Sequence, residues 1–189
     1  SPYLDEWSKK AQESGHEAIL NIPMEANDYH VNNPGADALL IDSSVEDNKI
    51  KLKILLDRMS DYNAVYSENN EIFTYSAENT QAFLEMLKQE NKYLIYGGEY
   101  QNSAIMQVAD SLNYPILVND LILDDEISAK EIEAKLAEME NIAKNKGYVV
   151  VMAHPYPLTI KMLEAWLPRA EEKGILVSPV SLLLGKKIK

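Results

Sequence analysis

With 3 histidines, 30 acidic residues and no cysteine, the chain draws its chemistry from imidazole and carboxylate groups. Without thiols there is neither a disulfide framework nor a thiolate nucleophile. The sharpest candidate is His154, in Ala153-His154-Pro155-Tyr156-Pro157, directly after the unbroken apolar run at residues 148–152. Proline fixes its own φ and restricts the residue before it, so this setting holds the imidazole in a set orientation. Imidazole is the side chain best suited to accept and donate a proton near neutral pH. Two readings stand at this point: a proton-transfer residue at the rim of a site, or a structural histidine bonded to a loop carbonyl.

Polar side chains follow the other apolar runs as well. Asn21, Glu25, Asp28 and His30 lie at or after the first, Glu68 and Asn69 after residues 64–67, and Glu99 after residues 93–96. Asn119, Asp120, Asp124 and Asp125 follow residues 116–118. Each has a plainer alternative. A lone loop carboxylate such as Glu25 is more often solvated than a ligand, His30 can be an exposed bystander, and Asp124 and Asp125 suit the positive end of the helix that follows. His16 precedes its strand, on the side away from an expected site, and reads as structural. Gly97-Gly98 is too short for a phosphate-binding loop.

The elements that must position these residues alternate along the chain. Helices are expected at about residues 5–14, 43–59, 78–89, 102–112, 128–146 and 158–173. Strands are expected at 17–22, 64–67, 93–96, 116–118, 148–152 and 175–178. Ser43-Ser44-Val45-Glu46 and Ser128-Ala129-Lys130-Glu131 have the form of capping boxes. Ile132, Leu136, Met139 and Ala143 form the clearest amphipathic stripe, a core face, and Gly147 ends that helix. Pro168 predicts a kink or an early stop in the last helix. The residues between Met24 and Asp42 read as a long polar loop. Helix–strand alternation implies a parallel α/β sheet in one domain covering residues 1–189. Such folds carry their active residues beyond the carboxyl ends of the strands. Because the chain opens on a helix, a parallel barrel calls for strands upstream of Ser1.

A net charge of −12 argues against a nucleic-acid groove, which needs clustered Lys and Arg to displace counterions. Lys186, Lys187 and Lys189, the one basic cluster, read as a solvated chain end. No apolar run approaches the roughly 20 residues of a membrane-spanning helix. Ser1 is not an initiator methionine, so an upstream targeting segment stays open.

Five segments together resemble the divergent polysaccharide deacetylases, relatives of the NodB-type carbohydrate esterases. They are Gly15-His16-Glu17, Pro23-Met24-Glu25, Pro34-Gly35-Ala36 with Leu39-Leu40, Asp120 with Leu123-Asp124, and His154-Pro155-Tyr156-Pro157, in family order across nearly the whole chain. The resemblance implies a distorted (β/α) barrel, a divalent metal, zinc by expectation, and hydrolysis of N-acetyl groups on a glycan of the cell envelope. It implies a periplasmic or otherwise extracytoplasmic location. In that chemistry an aspartate, here Asp120, acts as base and a histidine, here His154, protonates the leaving amine. Glu25 and Glu68 fall on the metal side, and Tyr156 and Asp124 on the substrate side.

The chain also departs from the family pattern. The family's Asn-Asn-His-Met-Gly-Ser motif falls where this chain reads Tyr66-Ser67-Glu68-Asn69-Asn70-Glu71, so Glu68 takes the place of the histidine. Near Tyr96-Gly97-Gly98 the expected aspartate is missing, and the opening strand with its paired aspartates would lie ahead of Ser1. A carboxylate can still ligate zinc. The competing expectation is a relative that binds a glycan or a protein without catalysis, for which Tyr29, Tyr66, Tyr96, Tyr100 and Tyr156 could supply stacking surfaces. An unrelated barrel enzyme is the third.

Overall fold

The computed structural model describes residues 3–25, 35–67, 71–98 and 103–184. In chain order the elements are α1 (Leu4–Glu13), β1 (Ile19–Asn21), α2 (Val45–Leu56), β2 (Ala64–Ser67), α3 (Glu71–Tyr75), α4 (Ala77–Gln89) and β3 (Tyr93–Tyr96). They continue as α5 (Ile105–Leu112), β4 (Ile116–Val118), β5 (Leu121–Ile122), α6 (Ala129–Lys146), β6 (Val151–Met152), α7 (Pro157–Glu172) and α8 (Ser181–Leu184). The chain divides into two compact units, Ser1–Leu117 with Pro179–Lys189, and Val118–Ser178.

The first unit is built on a four-stranded sheet in the order β1-β2-β3-β4. β1 pairs in parallel with β2, Ile19 opposite Ala64, and β2 with β3, Ala64 opposite Tyr93. Central strands of a parallel sheet are covered on both faces, and Val65, Leu94, Ile95 and Tyr96 are all buried accordingly. Leu52, Leu55 and Leu56 of α2 and Phe83, Leu84 and Leu87 of α4 complete this core. Ser44 caps α2 by accepting the Asp47 amide, one residue later than the capping box first suggested by the sequence. Serine hydroxyls satisfy an otherwise orphaned first-turn N–H in this way.

In the second unit β5 and β6 pair in parallel, Leu121 opposite Val151 and Ile122 opposite Met152. The expected stripe on α6 is its core face: Ile132, Leu136 and Met139 pack with Leu121, Leu123, Trp166 and Ala170. Ser128 caps the helix on the Glu131 amide, and Gly147 ends it in the left-handed conformation. Glu140, also buried, accepts the Trp166 indole N–H at 3.0 Å and the Lys173 ammonium at 2.8 and 2.7 Å, tying α6 to α7.

Several expected elements differ. Helix α7 runs through Pro168 to Glu172. That proline is exposed and lacks the N–H that would bond the carbonyl four residues back. Residues 175–178 form no strand, and Leu176 and Val177 are largely exposed. The run at 148–152 is a strand only at Val151–Met152, and the two-residue β5 was not visible as a strand at all. Elements this short depend on their partner for definition, not on local periodicity.

Candidate functional site

The best-organised polar cluster lies in the second unit, at the carboxyl ends of β5 and β6. The ladder closes there with the Leu123 amide donating to the Met152 carbonyl at 2.9 Å. The next residue on one side is Asp124, and two residues on from Met152 on the other is His154. The His154 amide donates to both Asp124 oxygens, at 3.1 Å to Oδ1 and 2.9 Å to Oδ2. The His154 ring bonds through Nδ1 to Asp124 Oδ1 at 2.9 Å. Thr159 of α7 donates its hydroxyl to Asp124 Oδ2 at 2.7 Å.

This geometry fixes what the His154 ring is bonded to. A carboxylate can only accept, so Nδ1 carries the proton and neutral imidazole presents its lone pair at Nε2. The histidine is bonded to a buried acid, not to a loop carbonyl, and its side chain stays 40% exposed while that of Asp124 is 0% exposed. Burial alone would raise the Asp124 carboxyl; the hydrogen bonds from His154 and Thr159 outweigh it and hold the group below its ordinary value of 3.8. A fixed anion beneath an accessible imidazole is the arrangement that orients a proton-transfer histidine and stabilises its charged form.

The approach to His154 is built by the residues that follow it. The Tyr156 amide closes a turn onto the His154 carbonyl at 2.8 Å, and Tyr156 is the N-cap of α7 with Pro157 as its first helical residue. Tyr156 is 38% exposed, and its ring lies 5.3 Å from the imidazole, centroid to centroid. It is therefore available to a ligand arriving at His154.

The other expected site residues fall elsewhere. Asp124, expected to contact substrate, has no exposed side-chain surface, and its side chain meets His154 and Thr159. Asp120, expected as the catalytic base, sits at the amino ends of β5 and β6, about 13 Å along the strand from Asp124 at 3.3 Å per residue. There it accepts the Val150 amide at 2.9 Å and pairs with Lys146 at 2.6 Å. Burial would lower the Lys146 ammonium, but its bonds to Asp120 and Tyr148 hold it raised. The carboxylate is thus spent on a strand end and an ion pair.

Glu25 lies in the first unit, just after a single parallel bridge between Met24 and Leu39. Its Oε2 accepts the Ile41 amide at 2.8 Å, pinning the return leg of the long loop. Glu68 lies outside the described residues, as do Asp28, Tyr29, His30, Asn69, Glu99 and Tyr100. Tyr96, one of the expected stacking surfaces, is fully buried with its hydroxyl on Thr74 at 3.0 Å. Among the described residues no three His, Asp or Glu side chains come together to hold a metal ion. With one Glu25 oxygen already committed, the described residues do not by themselves furnish a metal centre.

Thr159 escaped the sequence reading. Its one signal was position: a hydroxyl three residues into a helix that begins at the second proline after His154.

Comparison with known proteins bears on the family and the fold. The family model for divergent polysaccharide deacetylases matches residues 1–184. The chain belongs to that family, and its mixed α/β architecture with parallel strands is of the polysaccharide deacetylase (β/α) type. The uncharacterized protein YibQ of Escherichia coli K12 is 23% identical over 194 residues, covering 97% of this chain. The chain spans 57% of the length of that relative. The crystal structure of the uncharacterized protein ATU2773 from Agrobacterium tumefaciens C58 superimposes with a TM-score of 0.89 at 26% identity, covering 95% of this chain and 73% of that one. No helix among the described residues is long and apolar enough to cross a membrane.

Proposed function

We propose that the protein hydrolyses N-acetyl groups on an extracytoplasmic glycan, with His154 as its proton-transfer residue. The observation that carries this reading is the buried Asp124 carboxylate fixing Nδ1 of a half-exposed imidazole. Water adds to the amide carbonyl, the C–N bond breaks, and acetate and a free amine leave. His154 Nε2 takes a proton from the attacking water and returns it to the departing nitrogen, while Asp124 stabilises the imidazolium between the two transfers. Tyr156 offers its ring face to a sugar beside that nitrogen. Family membership supports the substrate class, and an extracytoplasmic location goes with a glycan of the envelope.

No step is routed through a metal, because the described residues do not assemble its ligands. Zinc or another divalent ion remains part of the family expectation, so the test includes it. The full-length protein is incubated with N-acetylglucosamine oligomers, with added zinc, with other divalent ions, and with chelator, and acetate release is followed. Release in any of these conditions, falling on the order of 100-fold or more in a His154→Asn variant, is the expected result. Folded protein that binds the oligomers but releases no acetate under any condition would support the competing reading, a glycan-binding relative without catalysis.

A further inference from the structure

Among the described residues, the carboxylate that orients His154 has one support that does not come from His154 itself. Oδ1 receives the ring Nδ1 and the His154 amide, and Oδ2 receives that same amide and the Thr159 hydroxyl. Three of these four contacts therefore depend on one residue, whose ring is partly in water. The fourth, at 2.7 Å, is the shortest, as expected for a hydroxyl donating to a charged oxygen. Thr159 is 1% exposed and sits in the first turn of α7, where the Ile160 amide already bonds back to the Tyr156 carbonyl. It is thus a donor on a rigid element aimed at a group that could otherwise turn about its Cβ–Cγ bond.

We infer that Thr159 is a positioning residue: it locks the rotation of the Asp124 carboxylate and thereby keeps His154 in the tautomer with Nδ1 protonated. This inference rests on the proposed proton-transfer role of His154 for its catalytic consequence, but not for its structural one. A hydroxyl that merely satisfied a buried acid would leave the imidazole tautomer unchanged when removed. A hydroxyl that positions the acid would not.

The experiment uses the full-length protein with 15N-labelled histidine, the His154 signals being assigned by their loss in His154→Asn. In the unmodified protein one tautomer, protonated at Nδ1, is expected. Thr159→Val keeps the shape and removes the donor; the His154 nitrogen shifts should move toward the values of a tautomer mixture. kcat for acetate release should fall roughly tenfold with KM little changed, the scale typical of losing an orienting partner one shell removed. Thr159→Ser, which restores the hydroxyl, should recover both the tautomer and the rate to within about twofold of the unmodified protein. Thr159→Ala carries the same expectation as valine and serves if valine does not fold. Nitrogen shifts unchanged in a folded valine or alanine variant overturn the inference, as does a folded serine variant that fails to restore them. Absence of acetate release from the unmodified protein counts against the proposed function alone, since the tautomer still decides the role of Thr159.

Discussion

Replacing Asp124 by asparagine tests the site at its most constrained point. The side chain is fully enclosed and every contact it accepts is from a donor, so the new amide must place an NH2 where a donor already points. If the NH2 takes the place of Oδ2, it faces the His154 amide, and the Thr159 hydroxyl must turn to accept. If it takes the place of Oδ1, it faces Nδ1, which must give up its proton and move it to Nε2. In both cases charge-assisted bonds become neutral ones and a donor is opposed by a donor. A hydrogen bond to a charged group contributes roughly 1.5–3 kcal/mol, so a loss of about 2–3 kcal/mol at pH 7 is expected. The pH dependence has a defined sign. The Asp124 carboxyl is lower in the folded state than its ordinary value of 3.8, so its stabilisation is complete well above that value and is lost as pH falls through the folded value. Asparagine does not titrate. Urea unfolding followed by circular dichroism at pH 7, 5, 4 and 3 should therefore show the gap between the two proteins narrowing below about pH 4. A gap of constant size down to pH 3, or no gap at pH 7, would refute the account of Asp124 as a bonded anion.

Three further outcomes follow from the packing. Glu140→Ala leaves the Trp166 indole and the Lys173 ammonium without their shared acceptor; it should cost about 1–3 kcal/mol in urea unfolding and red-shift Trp166 emission, read in a Trp7→Phe background. The Tyr62 hydroxyl donates to the Leu56 carbonyl, and burial, with the charges of Asp57 and Glu90, pushes its pKa up to about 12 from an ordinary 10.0. Its contribution is present below pH 10 and lost as pH rises toward 12, so Tyr62→Phe should flatten part of the alkaline fall in stability. Ser128→Ala removes the cap on the Glu131 amide and should lower stability by about 1 kcal/mol, measured by thermal unfolding.

The elements legible in the sequence were those whose signals are local. The stripe on α6, the capping Ser128 and the helix-ending Gly147 depend on spacing along one segment, and the structure carries each of them, while the cap of α2 falls one residue later than its box, on Ser44. So does the placement of His154 just beyond a strand end. What the sequence hid depended on partners far along the chain. A two-residue strand has no periodicity of its own, so β5 was invisible and Asp120 was placed after a strand although it stands before the next one. The burial of Asp124 and its bonds to His154 and Thr159 join residues 30 and 35 positions apart, which no local signal shows. Pro168 did not end α7, which continues to Glu172.

The short β5–β6 pair explains why two aspartates with similar sequence settings do different work. Asp120 and Asp124 bracket β5, and each accepts a backbone amide from the segment containing β6: Asp120 from Val150 at one end, Asp124 from His154 at the other. Each carboxylate thus supplies at its end what a further ladder rung would supply in a longer strand pair. At the amino end the remaining capacity goes to Lys146, whose ammonium also lies over the Tyr148 ring. At the carboxyl end it goes to an imidazole, because the residue whose amide is captured is itself a histidine. The same carboxylate therefore holds the strand pair closed and orients the His154 ring. Stability and the orientation of His154 are consequently coupled through Asp124 and separable at Asp120. An Asp120→Asn variant should lose stability while leaving the His154 tautomer as it was, whereas Asp124→Asn should disturb both, and a tautomer that changed in the Asp120 variant would show that the two ends of the pair are not independent.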